Sequence, residues 1–302
     1  MIEVSAYLGL PPVPTYAGQA LWNYRGLGDD RASLQKGSVQ TLVSFTGSAE
    51  EDGFFGTVLA IEECGAPLIP TMLQAVEAAY NQDAEQLITY LERATVTLND
   101  MTSLLPRMYQ HCSQNFFYHK LRPFLEGTKN LASVRSLEGV FFEEHDGGRY
   151  RKYCGPSNAQ SSLFAFVDII LGVKHEENQG STKTDYLKEM RLYMPRKHRD
   201  FLAKAEQMPN IREYVRSWSE NVLLTAAYEN CLTALLQLRQ AHIQMVTRYV
   251  VVMAKRQPSS NRAKLDPTGA MRSAVGETGT GGTNAIKFLK SVRDSVIQAR
   301  DD

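Results

Sequence analysis

No excess of either charge, no closely spaced cysteine pair and no long apolar run occurs in this sequence of 302 residues. Lysine and arginine number 33, aspartate and glutamate also 33, and the formal net charge is zero. Without a broad basic field, neither nucleic acid nor an anionic membrane is expected as a partner. The four cysteines, Cys64, Cys112, Cys154 and Cys231, form no CxxC pair, which fits a reducing, cytoplasmic setting. The opening "MIEVSAYLGLPPVPTYAGQ" lacks the basic start and apolar block of a secretory signal. The strongest apolar runs, "LFAFVDIILGV" and "YVVVM", are too short to span a bilayer. A soluble protein is therefore expected. No HExxH arrangement surrounds His111 and His119, and "GTGGT" at 279–283 lacks the lysine of a phosphate-binding loop. Zinc chemistry and nucleotide binding are accordingly not expected. No internal repeat is present.

What the chain does have is helical periodicity. It is 43% hydrophobic, enough for a substantial interior. Pro11, Pro12 and Pro14 exclude an ordinary helix in the first stretch, and the pattern turns helical from Pro70. Leu87, Leu91, Ala94, Leu98, Met101 and Leu105 form one apolar seam, with Asn81 or Asp83 as a cap. A shorter helix covers "NFFYHKLRPFLE", kinked or stopped at Pro123. Two short runs flanking Asp146-Gly147-Gly148 predict a hairpin. The loop "GPSNAQSS" at 155–162 leads into the helix "LFAFVDIILGV", and a further helix halts at Pro195, where the next can begin. The longest seam, Leu224, Tyr228, Cys231, Leu235, Leu238, His242, Met245, Tyr249 and Val252, predicts a helix from about 221 to 255. A polar, glycine-bearing segment at 256–283 reads as a mobile loop, and the amphipathic helix "NAIKFLKSVRDSV" closes the chain. The expected fold is mainly α: a large helical bundle with one small β-hairpin, as a single domain over 1–302.

Several residues admit a chemical reading beside a structural one. A histidine on an apolar seam is commonly a satisfied core residue; its rival is axial ligation of haem iron, with the macrocycle held in a slot between helices. Arg239, one turn earlier, is within reach of a propionate or is simply solvated. "GTGGT" before a helix can offer backbone N–H groups to an anion, or serve as a linker. Arg122, in the apolar segment "FFYHKLR", needs a partner: a substrate carboxylate held bidentately, or a structural Asp or Glu. His145, His175 and His198 read as surface residues.

The stretches "LGLPPVPTYA", "GFF" at 53–55, "FFYHKLRPFLEG", "GPSNAQSSLFAFVDIILG", "YLKEMRLYMPRKHRDFL", "LRQAHIQMVTRYV" and "GTGGTNAIKFLKSVRD" resemble, in order and over nearly the whole chain, the indoleamine 2,3-dioxygenase family. The resemblance implies an all-α catalytic domain that carries haem b and opens the indole ring of L-tryptophan or a related indoleamine with O₂. The product is N-formylkynurenine, the setting tryptophan catabolism by the kynurenine route. An electron donor would keep the iron ferrous, and the protein would act as a monomer. By the same resemblance His242 is the proximal iron ligand. Arg239, Asp168 and Phe164 belong to the cofactor's proximal side, Asp168 helping to fix the ligand directly or through a chain of contacts. Phe117, Tyr118 and Tyr16 would line the indole pocket, Tyr118 standing where phenylalanine is common. Arg122 would hold the substrate carboxylate, Ser157 would lie over the haem, and Thr280, Gly281, Gly282 and Thr283 would close on the amino acid. A small polar distal residue is expected near Thr57 or Val58, and no protein acid or base is assigned. The chain begins near the end of the small N-terminal domain with which the family usually starts. The alternatives are a haem-dependent oxygenase of another tryptophan-derived metabolite in a biosynthetic pathway, and a non-catalytic helical relative.

Overall fold

The computed structural model describes residues 2–26, 39–129, 138–143, 147–175, 183–256, 279 and 284–301. The chain opens with α1 (Ile2–Leu8), passes the prolines without regular structure, and makes a wide π-type turn at Ala17–Leu21. An antiparallel ribbon pairs β1 (Tyr24–Gly26) with β2 (Val39–Thr41), joining Tyr24 to Thr41 and Gly26 to Val39. Then come α2 (Ala49–Gly65), α3 (Leu68–Tyr80), α4 (Ala84–Leu104) and α5 (Arg107–His111). The "FFYHKLRPFLE" segment divides into α6 (Gln114–Phe116), a second π-type turn at Phe117–Leu121, and α7 (Arg122–Leu125). The expected hairpin pairs β3 (Val140–Phe142) with β4 (Arg149–Arg151), with Val140 opposite Arg151. After it follow α8 (Ser162–Leu171), α9 (Lys183–Arg191), α10 (Arg196–Ala205) and α11 (Ile211–Ser217). The long helix α12 (Val222–Val246) runs into a third π-type turn at Thr247–Val252 and α13 (Met253–Lys255). The last helix is α14 (Ala285–Asp301).

The two seam helices start at side-chain caps. Asp83 accepts from Gln86 N at 3.0 Å to start α4, and Asn221 accepts from Leu224 N at 3.1 Å to start α12. Three elements lie outside the sequence-based expectation. Helical structure already begins at Ile2, ahead of the prolines, as α1, and resumes at Ala49, not Pro70, because Ser48 caps α2 with Glu50, Glu51 and Asp52 in its first turn. The helix shows no clear stripe, since Phe55, Gly56, Thr57, Leu59, Ala60 and Ile61 bury consecutive faces. The β1–β2 ribbon is the third; three residues per strand leave too short a pattern to read.

The two seams identified in the sequence pack against each other. Leu87, Leu91, Ala94, Leu98 and Met101 of α4 and Leu224, Cys231 and Leu235 of α12 are all fully buried in one core. Helices α3 and α2 cover α4, α14 flanks α12, and α8 lies on α10 and α3. Along α12 the character of the seam changes: its first half faces α4, whereas His242 and Met245 are only half-buried. The imidazole stands where the packed core gives way to open space. That is why leucine is not required there.

A buried glycine anchors the loop beside this space. A Cβ on Gly127 would lie 2.2 Å from Gly155 N and 2.5 Å from Tyr153 O, both backbone atoms. The same segments are joined by Lys129 N donating to Tyr153 O at 3.0 Å and Tyr153 N donating to Thr128 Oγ1 at 2.7 Å. Gly127→Ala is expected to force them apart at a cost of about 1–3 kcal/mol, seen as a lower melting temperature. An unchanged melting temperature would mean the segments shift freely.

Candidate active site

Two cavities meet at His242. The smaller, of 180 Å³, is walled by Phe54, Phe55, Phe117 and Tyr249 and also reached by Arg122, Ser157 and Gln19. The larger, of 510 Å³, is lined by Phe164, Asp168, Arg239 and Leu238 among others. Tyr16, Val58, Asn158, His242, Met245 and Phe288 border both. A slot between helices of this size and apolar lining is of the kind that takes an organic cofactor with substrate beside it.

Burial pushes the His242 imidazole down to about 4, and the neighbouring Arg239 charge adds to this. The ring is therefore neutral at physiological pH and keeps a lone pair. Its Nε2 meets the Asn158 side-chain amide at 3.1 Å across the slot. Asn158 is an exposed group on a loop, so that contact is replaceable. A neutral imidazole on a long helix, facing an apolar slot, is the donor that haem iron takes. The residues present fit the group.

Behind the imidazole lies a charge cluster. Arg239 Nη2 donates to Asp168 Oδ1, and His175 Nε2 lies 2.9 Å from Asp168 Oδ2. His175 Nδ1 in turn reaches Ser295 Oγ of α14 at 3.2 Å. Burial alone would raise the Asp168 pKa; Arg239 and His175 outweigh it and hold the carboxyl below its ordinary value. Among the described contacts Asp168 does not bond His242 directly; its ion-pair partner Arg239 is the charge that bears on His242. With one nitrogen so engaged, Arg239 keeps a buried Nε without a hydrogen-bond partner. Asp168→Asn would strand a buried guanidinium, at a cost of about 3–5 kcal/mol. Wild-type stability from this carboxylate is in force above about pH 4 and drains away as pH falls through its lowered pKa. Urea unfolding at neutral pH checks both; an unchanged midpoint in Asp168→Asn would remove the cluster's structural role.

Two histidines read as surface residues are corrected here. His175 is a half-buried bridge between Asp168 and Ser295, because Gly172 closes α8 in the left-handed region (φ 70°) and folds the following residues back on it. His198 meets Ser162 Oγ at 3.0 Å, and burial lowers its pKa. The charged residues beside both in the sequence hid these contacts. His145 lies outside the described residues.

The remaining candidates separate. Tyr16, 6% exposed, is held by its hydroxyl donating to Glu62 at 2.7 Å and its N–H donating to Gln160 Oε1 at 2.9 Å. Glu62 also accepts from Ser161 at 2.6 Å; burial raises its pKa and these two bonds partly offset the rise. Phe117 stacks on Phe54 at 5.0 Å and meets Tyr249 edge-on at 5.6 Å. Arg122 is 1% exposed, ion-paired with Glu126 at 3.3 Å, and reaches the smaller cavity. Tyr118 lines neither cavity: its ring lies 5.2 Å from the Arg122 guanidinium carbon. Ser157 borders the smaller cavity and caps the single turn Asn158–Gln160. Of Thr57 and Val58, Val58 faces both cavities, while Thr57 turns its hydroxyl to Gly53 O at 2.8 Å. Gly279 lines the smaller cavity, and Thr280, Gly281, Gly282 and Thr283 lie outside the described residues.

Gln19, Asn158, Glu62 and His175 are site residues that sequence reasoning passed over. Gln19 sits three residues after Tyr16, in a wide turn that no periodicity announces. All three π-type turns border the smaller cavity, through Gln19 and Ala20, Phe117, and Tyr249 and Val250.

Comparison with known proteins adds to this geometry. The family model described as IDO: Indoleamine 2,3-dioxygenase matches residues 1–299. The 6-hydroxytryptophan 2,3-dioxygenase fscD of Fusarium equiseti is 45% identical over 301 residues, covering 99% of this chain and 73% of that protein. Indoleamine 2,3-dioxygenase of Saccharomyces cerevisiae is 35% identical over 324 residues, covering 100% and 71%. Indoleamine 2,3-dioxygenase 2 of Homo sapiens is 33% identical over 301 residues, covering 99% and 70%.

Proposed function

This chain belongs to the indoleamine 2,3-dioxygenase family, and from that premise we propose that it holds haem b on His242 and opens the indole ring of L-tryptophan or a tryptophan derivative with O₂, giving an N-formylkynurenine-type product. The observation that carries the reading is the neutral His242 imidazole at the junction of two cavities, its Nε2 turned into the slot. When bound, the haem supplies the iron centre for the redox chemistry, which belongs to the cofactor.

The protein's share is binding, orientation and exclusion of water. Arg122 holds the amino acid's carboxylate from its buried position. Phe54 and Phe117 form a flat wall for the ring. Glu62 and Gln160 fix Tyr16 at the boundary between the cavities. Asp168, Arg239 and His175 brace the helix faces behind His242. Among the described residues no side chain is assigned as general base: the Tyr249 O–H is shared between Cys112 O at 2.6 Å and Met108 O at 3.0 Å, and the Tyr16 hydroxyl donates to Glu62. An electron donor that keeps the iron ferrous completes the set of partners. Among the described residues, no helix is long and apolar enough to cross a membrane.

A second reading, in which the ring already bears a substituent, is favoured by the 6-hydroxytryptophan named for the relative at 45% identity. The test is an anaerobic optical spectrum of the haem-loaded ferrous protein, then addition of an indole amino acid and air, with the product mass read. A spectrum without an axial histidine signature, or an indole recovered intact, overturns the proposal.

A further inference from the structure

We propose that Gln19 reads a hydroxyl on the six-membered ring of the substrate, so that the preferred substrate is a ring-hydroxylated indole amino acid. This rests on the tryptophan-class reading above and deepens it.

Gln19 is 7% exposed and lines the smaller cavity. Both polar atoms of its side chain, Oε1 and Nε2, are shut off from water and have no hydrogen-bond partner. Buried amides are almost always satisfied, and an orphan pair calls for an explanation. The cavity's hydroxyls are already engaged, and Arg122, besides its Glu126 partner, is the group the proposed reading assigns to the substrate carboxylate. The Tyr249 hydroxyl serves two backbone carbonyls, the Tyr16 hydroxyl serves Glu62, the Tyr186 hydroxyl reaches Ser157 Oγ at 3.4 Å, and Arg122 is paired with Glu126. Gln19 therefore holds an unused donor beside an unused acceptor in the cavity wall, which a rotation of its side chain would turn towards a ligand.

That pairing selects the ligand group. A carboxylate only accepts and has Arg122 available to it; an ammonium only donates. A hydroxyl does both, donating to Oε1 and accepting from Nε2. The position of Gln19 says which part of the substrate carries it. Its turn packs against α2, which contributes Phe54, Phe55 and Val58 to the same cavity. Gln19 thus stands in the wall that receives the ring, among side chains that offer a bare indole nothing polar. With a bare ring both amide atoms stay unpaired. A site built for a hydroxyl rejects the analogue that lacks it for this reason.

The experiment uses haem-loaded protein with L-tryptophan, 5-hydroxy-L-tryptophan and 6-hydroxy-L-tryptophan. Dissociation constants come from calorimetry and kcat/KM from product formation. The wild type is expected to favour one hydroxylated substrate over tryptophan on the order of 10–100-fold. In Gln19→Met, close in volume but without the amide, that ratio is expected to fall to near one, with the haem spectrum as the folding control. A wild-type ratio near one overturns the inference without any variant. A preference that survives in Gln19→Met assigns it elsewhere and overturns it too. Binding of none of the three substrates would instead bring down the tryptophan-class reading beneath it.

Discussion

Replacing His242 with alanine is expected to leave a folded protein that no longer retains haem. In the proposed site the His242 nitrogen would be the main directed link between this chain and the iron. Loss of a group that merely orients such a ligand costs roughly 10–100-fold in metal affinity, and loss of the ligand itself must cost more. Haem content and the Soret band should therefore fall at least ~10-fold after desalting. The fold should survive, because His242 is half-buried and borders existing cavities. Its removal enlarges a space that is already there, while the α4–α12 core is untouched. Added imidazole should restore an axial nitrogen and part of the spectrum. Wild-type haem content in the variant would overturn the assignment of His242.

Arg122→Leu is expected to separate substrate binding from cofactor binding. A substrate carboxylate left without its guanidinium loses ~2–5 kcal/mol, which corresponds to roughly 30-fold or more in kcat/KM. The structure adds a complication: Arg122 is also the ion-pair partner of Glu126 at 3.3 Å. Part of any loss will be structural, and the comparison must be internal. Turnover of the indole amino acid should collapse, whereas an indole lacking the carboxylate should lose far less. The haem spectrum should stay near that of the wild type, since the cofactor is held from the His242 side. Equal losses for both substrates would make Arg122 a structural residue, and pairing it with Glu126→Gln would then recover stability without recovering activity.

The bundle was legible because its two long seams carry a clean period. Leu87 to Met101 and Leu224 to Leu238 predict helices that the structure contains and packs together. Helix α2 was not legible, since a helix buried on several faces loses the stripe that periodicity needs. The histidines show the same limit from another side. His242 stood out as a polar group on an apolar seam, but His175 earns its place through a left-handed turn at Gly172 and a helix more than a hundred residues away. Arg122 was visible as a charge among aromatics, whereas its carboxylate partner, one helical turn on, had to be seen. Tyr118, placed beside the ring by family resemblance, lines neither cavity; in the wide turn at 117–121 its ring lies against the Arg122 guanidinium. Gln19 had no sequence signal, because its meaning lies in what fails to contact it.

The three wide turns, at 17–21, 117–121 and 247–252, separate two kinds of inheritance in this molecule. Each holds one residue more than a regular helical turn, so a single insertion or loss there re-aims a side chain by about a quarter of a turn and leaves the helices beyond it in line. The bundle's leucines are bound to one another and cannot drift singly. Gln19, Phe117 and Tyr249, which line the smaller cavity, sit on the turns and can. A lineage of such chains can therefore reshape the smaller cavity by editing three short stretches while the helical scaffold is passed on intact.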